Sequence, residues 1–197
     1  MYKIVIVLLS IIVCNTCVVA RDISFLDAAN ILVITVETPQ QDGSKVTGRV
    51  AILMRPDIAP NHVKRVKELA RQSFYDGHVF HRVIPGFMAQ TGDPTGTGTG
   101  GSGQNIKPEF TRTPYLRGTA GMARGEAEDT ADSQFFITFT RRADLDMKYT
   151  VWGRVIAGMQ TVDMIPKGEP PIVPGKMVSV SVASDLKDWE SLSKDFK

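Results

Sequence analysis

Residues 80–93 read Phe-His-Arg-Val-Ile-Pro-Gly-Phe-Met-Ala-Gln-Thr-Gly-Asp, gathering one cation, one amide and two large apolar side chains at strand-like spacing. Arg82 brings fixed N–H donors, Gln90 brings a donor and an acceptor, and Phe87 and Met88 bring apolar surface. Hydrolytic chemistry asks for more than this. The chain has three histidines, His62, His78 and His81, and no Gly-x-Ser-x-Gly elbow. On a strand, His78 and His81 point to opposite faces, so they cannot share a metal as they could on a helix. No metal site is expected, and His81 is expected to be buried and hydrogen-bonded. Gly96-x-Gly98-x-x-Gly101 matches a dinucleotide fingerprint letter by letter, but that motif works only between a strand and a helix that receives the pyrophosphate. Asp93-Pro94 before it and residues 102–108 after it supply no such helix. No nucleotide, and no cofactor of any kind, is expected.

The elements that must position these residues can be read on either side. Residues 80–84 form an aromatic and β-branched strand, Pro85-Gly86 breaks it, and residues 87–90 resume an extended run. Alternation places Met88 and Gln90 on one face and Phe87 with Ala89 on the other, unless a twist or bulge brings Phe87 round to the same cleft. Upstream, residues 31–36 and 46–54 read as a hairpin, with Val46, Gly48, Val50, Ile52 and Met54 on one face. Pro60 opens a helix over residues 60–73 whose stripe is Val63, Val66, Leu69 and Ala70. Downstream of a Gly- and Thr-rich loop at 94–104, strands are expected over 119–123, 134–139, 150–155 and 177–183, and a second helix over 158–165. Residues 185–197 are a charged tail carrying Trp189 and Phe196. Short strands without strand–helix alternation predict a mainly β fold: a closed eight-stranded antiparallel barrel capped by two amphipathic helices.

The central stretch closely resembles the signature of the cyclophilins, barrel-shaped peptidyl-prolyl cis-trans isomerases, whose core reads Phe-His-Arg-x-Ile-x-Gly-Phe-Met-x-Gln-x-Gly-Asp. Every fixed position of that pattern is filled. The likeness continues through Gly96-Thr-Gly-Thr-Gly-Gly101, Gly118-Thr-Ala-Gly-Met-Ala-Arg124, Ser133-Gln-Phe-Phe-Ile137 and Val151-Trp-Gly-Arg-Val155, and covers about residues 29–183. It implies an enzyme that accelerates rotation about X-Pro bonds in proline-containing polypeptides, with Arg82, Phe87 and Gln90 as catalytic residues. By the same likeness Met88, Gly98, Ala123, Arg124, Gln134, Phe136, Leu145 and Tyr149 bind substrate. A non-catalytic module that holds proline-containing segments in the same groove, as a chaperone or scaffold, is the alternative.

The reaction needs no acid, base or metal. Amide resonance sets a rotation barrier of about 18–20 kcal/mol, and a catalyst need only bind the twisted amide better than either planar form. A ~10⁴-fold gain corresponds to about 5.4 kcal/mol. As the bond twists, the prolyl nitrogen gains a localised lone pair, to which a permanently charged guanidinium can donate. Three positions depart from the family pattern: Arg124 where asparagine is common, Asp144 where cyclosporin-sensitive members carry tryptophan, and Tyr149 where they carry histidine. Weak cyclosporin binding is therefore expected.

The chain has 197 residues, enough for one domain with a full core, and its near-balanced charge of +2 shows no basic cluster suited to nucleic acid. Residues 1–20 have the outline of a secretory signal: Lys3, an apolar run over 4–13, and Val18-Val19-Ala20 before Arg21. Residues 21–197 would then be the isomerase domain of an exported, periplasmic protein, expected as a monomer. A membrane anchor formed by the uncleaved segment is the alternative. Both cysteines, Cys14 and Cys17, lie inside this segment, so the mature chain would carry no thiol, which suits an oxidising compartment.

Overall fold

β1 (Ile31–Pro39) and β2 (Lys45–Met54) make an antiparallel hairpin that pairs from Ile31↔Leu53 to Pro39↔Lys45. They belong to the computed structural model of the chain, which describes residues 23, 26–40, 42–194 and 196. The expected export segment, residues 1–20, lies outside the described residues. Six further strands follow: β3 (Arg82–Ile84), β4 (Met88–Thr91), β5 (Thr119–Met122), β6 (Phe135–Thr138), β7 (Val151–Ala157) and β8 (Lys176–Val182). All pair antiparallel in one eight-stranded sheet of order β3-β4-β6-β5-β7-β2-β1-β8.

The sheet curls as an open half-barrel, which corrects the expected closed barrel. No ladder joins its end strands, β3 and β8. The reason is local: both backbone groups of Val83 on the free edge of β3 are taken by Gly168, at 2.8 and 2.9 Å. The segment before β3 reaches β8 instead, through the Val79↔Lys176 bridge and the Met177 N–H to His78 O bond of 2.9 Å.

Three α-helices, not two, are found among the described residues. In α1 (Pro60–Arg71), Val63, Val66, Leu69 and Ala70 pack into the core as their spacing predicts. It stops two residues early because Ser73 turns left-handed at φ 54°, and Phe74 N–H closes back on Leu69 O at 3.0 Å. Its first turn has no cap of its own. Glu109, far along the chain, accepts from the N–H groups of Asn61 and His62, both at 3.1 Å. α2 (Met159–Met164) seals another part of the core with Val162, and α3 (Trp189–Leu192) is a single turn in the tail.

That tail has an apolar role. Leu32, Ile34 and Val36 of β1 enter the main core, while Ile31 and Val33 lie on the other face beneath Ile23, Trp189 and Phe196. Burial on both faces explains why β1 opens as a continuous apolar run over residues 31–34 and not as an alternation. Each such side chain contributes about 1.5–3 kcal/mol when fully buried.

Candidate functional site

Register across four strands assembles one row of side chains: Arg82 on β3 lies opposite Gln90 on β4, Gln90 opposite Phe136 on β6, and Phe136 opposite Gly121 on β5. Alternating residues on the same strands, Val83, Ala89, Phe135 and Ile137, point into the main core. The row therefore faces outward, on the convex side of the half-barrel. Gly121 is required here, because a Cβ would come within 2.3 Å of the Tyr115 hydroxyl and 2.7 Å of Phe136 Cζ. Its bare backbone lets the Tyr115 and Phe136 rings stack at 5.7 Å and 21°.

Phe87 escapes the strand alternation because it sits in the 85–87 turn, where its N–H donates to Ile84 O at 3.0 Å. It consequently shares a cleft with Met88 and Gln90, through a turn and not through a bulge in β4. The cleft, about 140 Å³, is lined by Arg82, Phe87, Met88, Gln90, Ala123, Arg124, Phe136, Leu145 and Tyr149. Nine of the eleven predicted site residues thus converge on one pocket. The other two, Gly98 and Gln134, line an adjoining depression of about 520 Å³ that shares Gln90, Ala123 and Arg124 with it. Met88, Phe136 and Leu145 form the buried apolar floor with Tyr115, and Tyr149 meets the Phe136 ring edge-on at 5.9 Å.

A polar chain runs along the rim. Glu169 accepts from Arg82 Nε at 2.7 Å, and Arg82 Nη1 reaches Gln90 Oε1 at 3.5 Å. Gln90 Nε2 then donates to Gln134 Oε1 at 2.9 Å, and Gln134 donates to the carbonyls of Gly98 and Gly100 at 3.0 and 2.8 Å. Gln134 thereby ties the glycine loop to the row of Arg82 and Gln90.

The loop is organised from beneath by Asp93, which is buried. Its carboxylate accepts from Thr95 N–H at 2.7 Å, the Thr95 hydroxyl at 2.8 Å, Gly98 N–H at 2.6 Å and Gly100 N–H at 3.2 Å. Burial pushes the Asp93 pKa up, but the bonds from Thr95, Gly100 and Gly98 outweigh it and hold the group down at about 2. Of the fingerprint-like glycines, Gly98 thus spends its N–H on an internal anion and Gly96 donates to the Asp93 backbone carbonyl at 3.2 Å, so neither is free to cradle a pyrophosphate.

Arg124 lines the groove with a guanidinium that is bonded to the surrounding backbone. Its guanidinium donates to the backbone carbonyls of Lys148, Gly125 and Glu126, and lies 4.8 Å from the Tyr149 ring centroid. It braces Tyr149. β5 ends at Met122, and Ala123 N–H is occupied by Gln134 O at 2.9 Å. At the opposite rim, Arg142 pairs with Asp144 at 2.7 and 2.9 Å and stacks 3.8 Å from the Phe87 centroid. This ion pair holds the Asp144 carboxyl at about 2.

His81 is buried, as expected; Gln134 and the Val79 backbone are its polar neighbours, although neither ring nitrogen reaches ideal hydrogen-bond geometry with them. Burial lowers its pKa, which keeps the ring neutral. No group of three or more His, Cys, Asp or Glu side chains is gathered to hold a metal among the described residues. Asp93, Tyr115, Arg142 and Glu169 are the contributors that sequence reasoning missed. Asp93 alone carried a local signal, since Asp-Pro-Thr-Gly is a sequence in which an aspartate bonds its own backbone two residues on.

Residues 34–182 match the family model described as Cyclophilin type peptidyl-prolyl cis-trans isomerase/CLD. A probable peptidyl-prolyl cis-trans isomerase of Brucella suis is 45% identical over 157 residues, covering 71% of this chain and 80% of that protein. Peptidyl-prolyl cis-trans isomerase B of Bacillus subtilis is 38% identical over 130 residues, covering 66% and 88%. Among solved structures, cyclophilin AquaCyp293 from Hirschia baltica superposes with a TM-score of 0.71 at 27% identity, covering 82% of this chain and 76% of its own. A cyclophilin-type isomerase from Cryptosporidium parvum, determined in the presence of the dipeptide Ala-Pro, gives 0.64 at 28% identity, covering 75% and 98%.

Asp93 generates a pH prediction. Its folded pKa of about 2 lies below the ordinary 3.8, so its contribution is full above the ordinary value and is lost as pH falls through the folded one. Asp93→Asn should lower unfolding free energy by about 2 kcal/mol at pH 7 and by progressively less towards pH 2. Urea unfolding at pH 7 and pH 3 checks this; a gap between parent and variant that does not narrow at pH 3 rejects it.

Proposed function

The chain belongs to the cyclophilin-type peptidyl-prolyl cis-trans isomerase family, and from that membership we propose how its own residues rotate an X-Pro bond. The substrate's proline ring seats on the floor made by Met88, Phe136 and Leu145, with Phe87 and Tyr149 as walls. Pinning the ring leaves the residue on the amino side of the bond to turn. The twisted prolyl nitrogen then accepts from the Arg82 guanidinium, a donor that no planar form can use equally well. Gln90 and Gln134 contribute by fixing Arg82 and the Gly98 loop in one register. The observation that carries this reading is the placement of a guanidinium at the lip of an apolar pocket, held at Nε by Glu169 and with Nη1 towards Gln90.

Removing that donor should leave the pocket and remove the transition-state contact. Arg82→Ala is expected to lower kcat/KM for an Ala-Pro peptide by at least ~10-fold, with peptide affinity changing less. Protease-coupled or NMR exchange kinetics measure it, and an undiminished rate would remove Arg82 from the mechanism.

Cyclosporin should inhibit weakly. Where sensitive members present an indole, this chain presents the Asp144–Arg142 ion pair at the rim, and an apolar macrocycle would have to cover it. Losing one hydrogen bond and a broad apolar contact corresponds to about two to three orders of magnitude in affinity. Asp144→Trp should recover inhibition while turnover persists; nanomolar inhibition of the parent, or no gain in the variant, would show that this position does not set drug affinity.

We further propose that the enzyme acts on exported polypeptides. The support is the pattern of Lys3, the apolar run over 4–13 and the small residues Val18 and Ala20. Intact mass of the protein recovered from the extracytoplasmic fraction should begin at Arg21. A full-length product held in the membrane would favour the anchor instead.

A further inference from the structure

The loop after α2 folds back over the free edge of β3, and its geometry is strongly constrained. The two backbone bonds between Val83 and Gly168 fix residue 169 beside residue 82. Gly168 has φ 151°, and a Cβ there would lie 2.6 Å from Pro171 Cα, so only glycine fits before the Glu169-Pro170-Pro171 turn. From this fixed point Glu169 Oε2 meets Arg82 Nε at 2.7 Å.

A guanidinium is a rigid plane with five N–H donors, so its orientation is set by which edge is held. Here Glu169 holds the Nε edge, and the Nη1 side is turned towards Gln90 at 3.5 Å. Without Glu169, Arg82 would keep only that long contact and a distant one to the Phe87 ring, 5.8 Å from its centroid. Both partners are partly exposed, with side chains 39% and 52% accessible, so the pair adds little to folding stability. Its effect is on direction.

We propose that Glu169 is a positioning residue for the isomerisation: it holds Arg82 by Nε, so that the Nη donors face the cleft where the prolyl nitrogen turns. The inference rests on the assignment of Arg82 as the donor to that nitrogen. Glu169 itself does not touch the substrate.

The test is a double-mutant cycle on an Ala-Pro peptide, reading kcat, KM and melting temperature for the parent, Glu169→Ala, Glu169→Gln, Arg82→Ala and the Arg82→Ala/Glu169→Ala pair. Glu169→Ala should lower kcat roughly threefold to tenfold, with KM within about twofold and melting temperature nearly unchanged. Glu169→Gln should recover much of the rate, because its amide oxygen still accepts from Nε. In the Arg82→Ala background, removing Glu169 should change nothing further. A Glu169→Ala enzyme with parental kcat, beside an impaired Arg82→Ala enzyme, overturns this inference alone. Equal losses from Glu169→Ala with and without Arg82 overturn it as well, by showing a role in the loop and not through the guanidinium. A parental rate in Arg82→Ala would instead remove the reading on which it stands.

Discussion

The antiparallel register of β3, β4 and β6 is the constraint on which the site depends. Side chains alternate with period two, so a slip of one residue would bury Arg82 and Gln90 and expose Val83 and Ala89. Val83 and Ala89 are fully buried in the main core, so such a slip would forfeit that core packing. The same burial that stabilises the sheet therefore aims the guanidinium and the amide outward. The tight turn at 85–87 locks the register from one end, and it also frees Phe87 from the pleat so that a third apolar residue can join the outward face.

Around this row the backbone is largely irregular, and carboxylates do what ladders do elsewhere. Between β4 and β5 the chain runs from residue 92 to residue 118 without a named strand or helix. Long loops of this kind in compact domains are commonly functional and need their backbone groups satisfied. Asp93 holds Gly98 and Gly100, Asp132 holds Gly103 and the Ser102 hydroxyl, Glu109 caps α1, and Asp146 accepts from Tyr115 N–H. Each is an acidic side chain bonded to distant or looping backbone. The loops around the groove are thus held in shape by anions bonded to their backbone.

Much of this was legible in the residues. Apolar periodicity located all eight strands and the first two helices to within a few residues, because those patterns report burial directly. The convergence of Arg82, Met88, Gln90 and Phe136 followed from the family likeness together with alternation. Contacts made by distant segments were not legible. Glu169 lies 87 residues from Arg82, and nothing near either residue announces their meeting. Closure of the barrel failed for a related reason, since the occupant of the β3 edge, Gly168, comes from beyond α2. Arg124 illustrates a third kind of gap: its position beside the groove was readable, but the carbonyls of Gly125, Glu126 and Lys148 decide where its side chain goes.

The outer cluster on β1, β2 and β7 bears on how the molecule can be attached to something else. Ile23 N–H donates to Ser193 O at 3.0 Å, so the two ends of the described chain meet over that cluster. The groove lies on the β3-β4-β6-β5 half of the sheet, whereas the cluster lies on the β7-β2-β1 half. A linker or a fused domain at either end would leave from one shared point on the half of the sheet that does not carry the groove. The enzyme could therefore be held in place by its termini with its groove still open to passing chains.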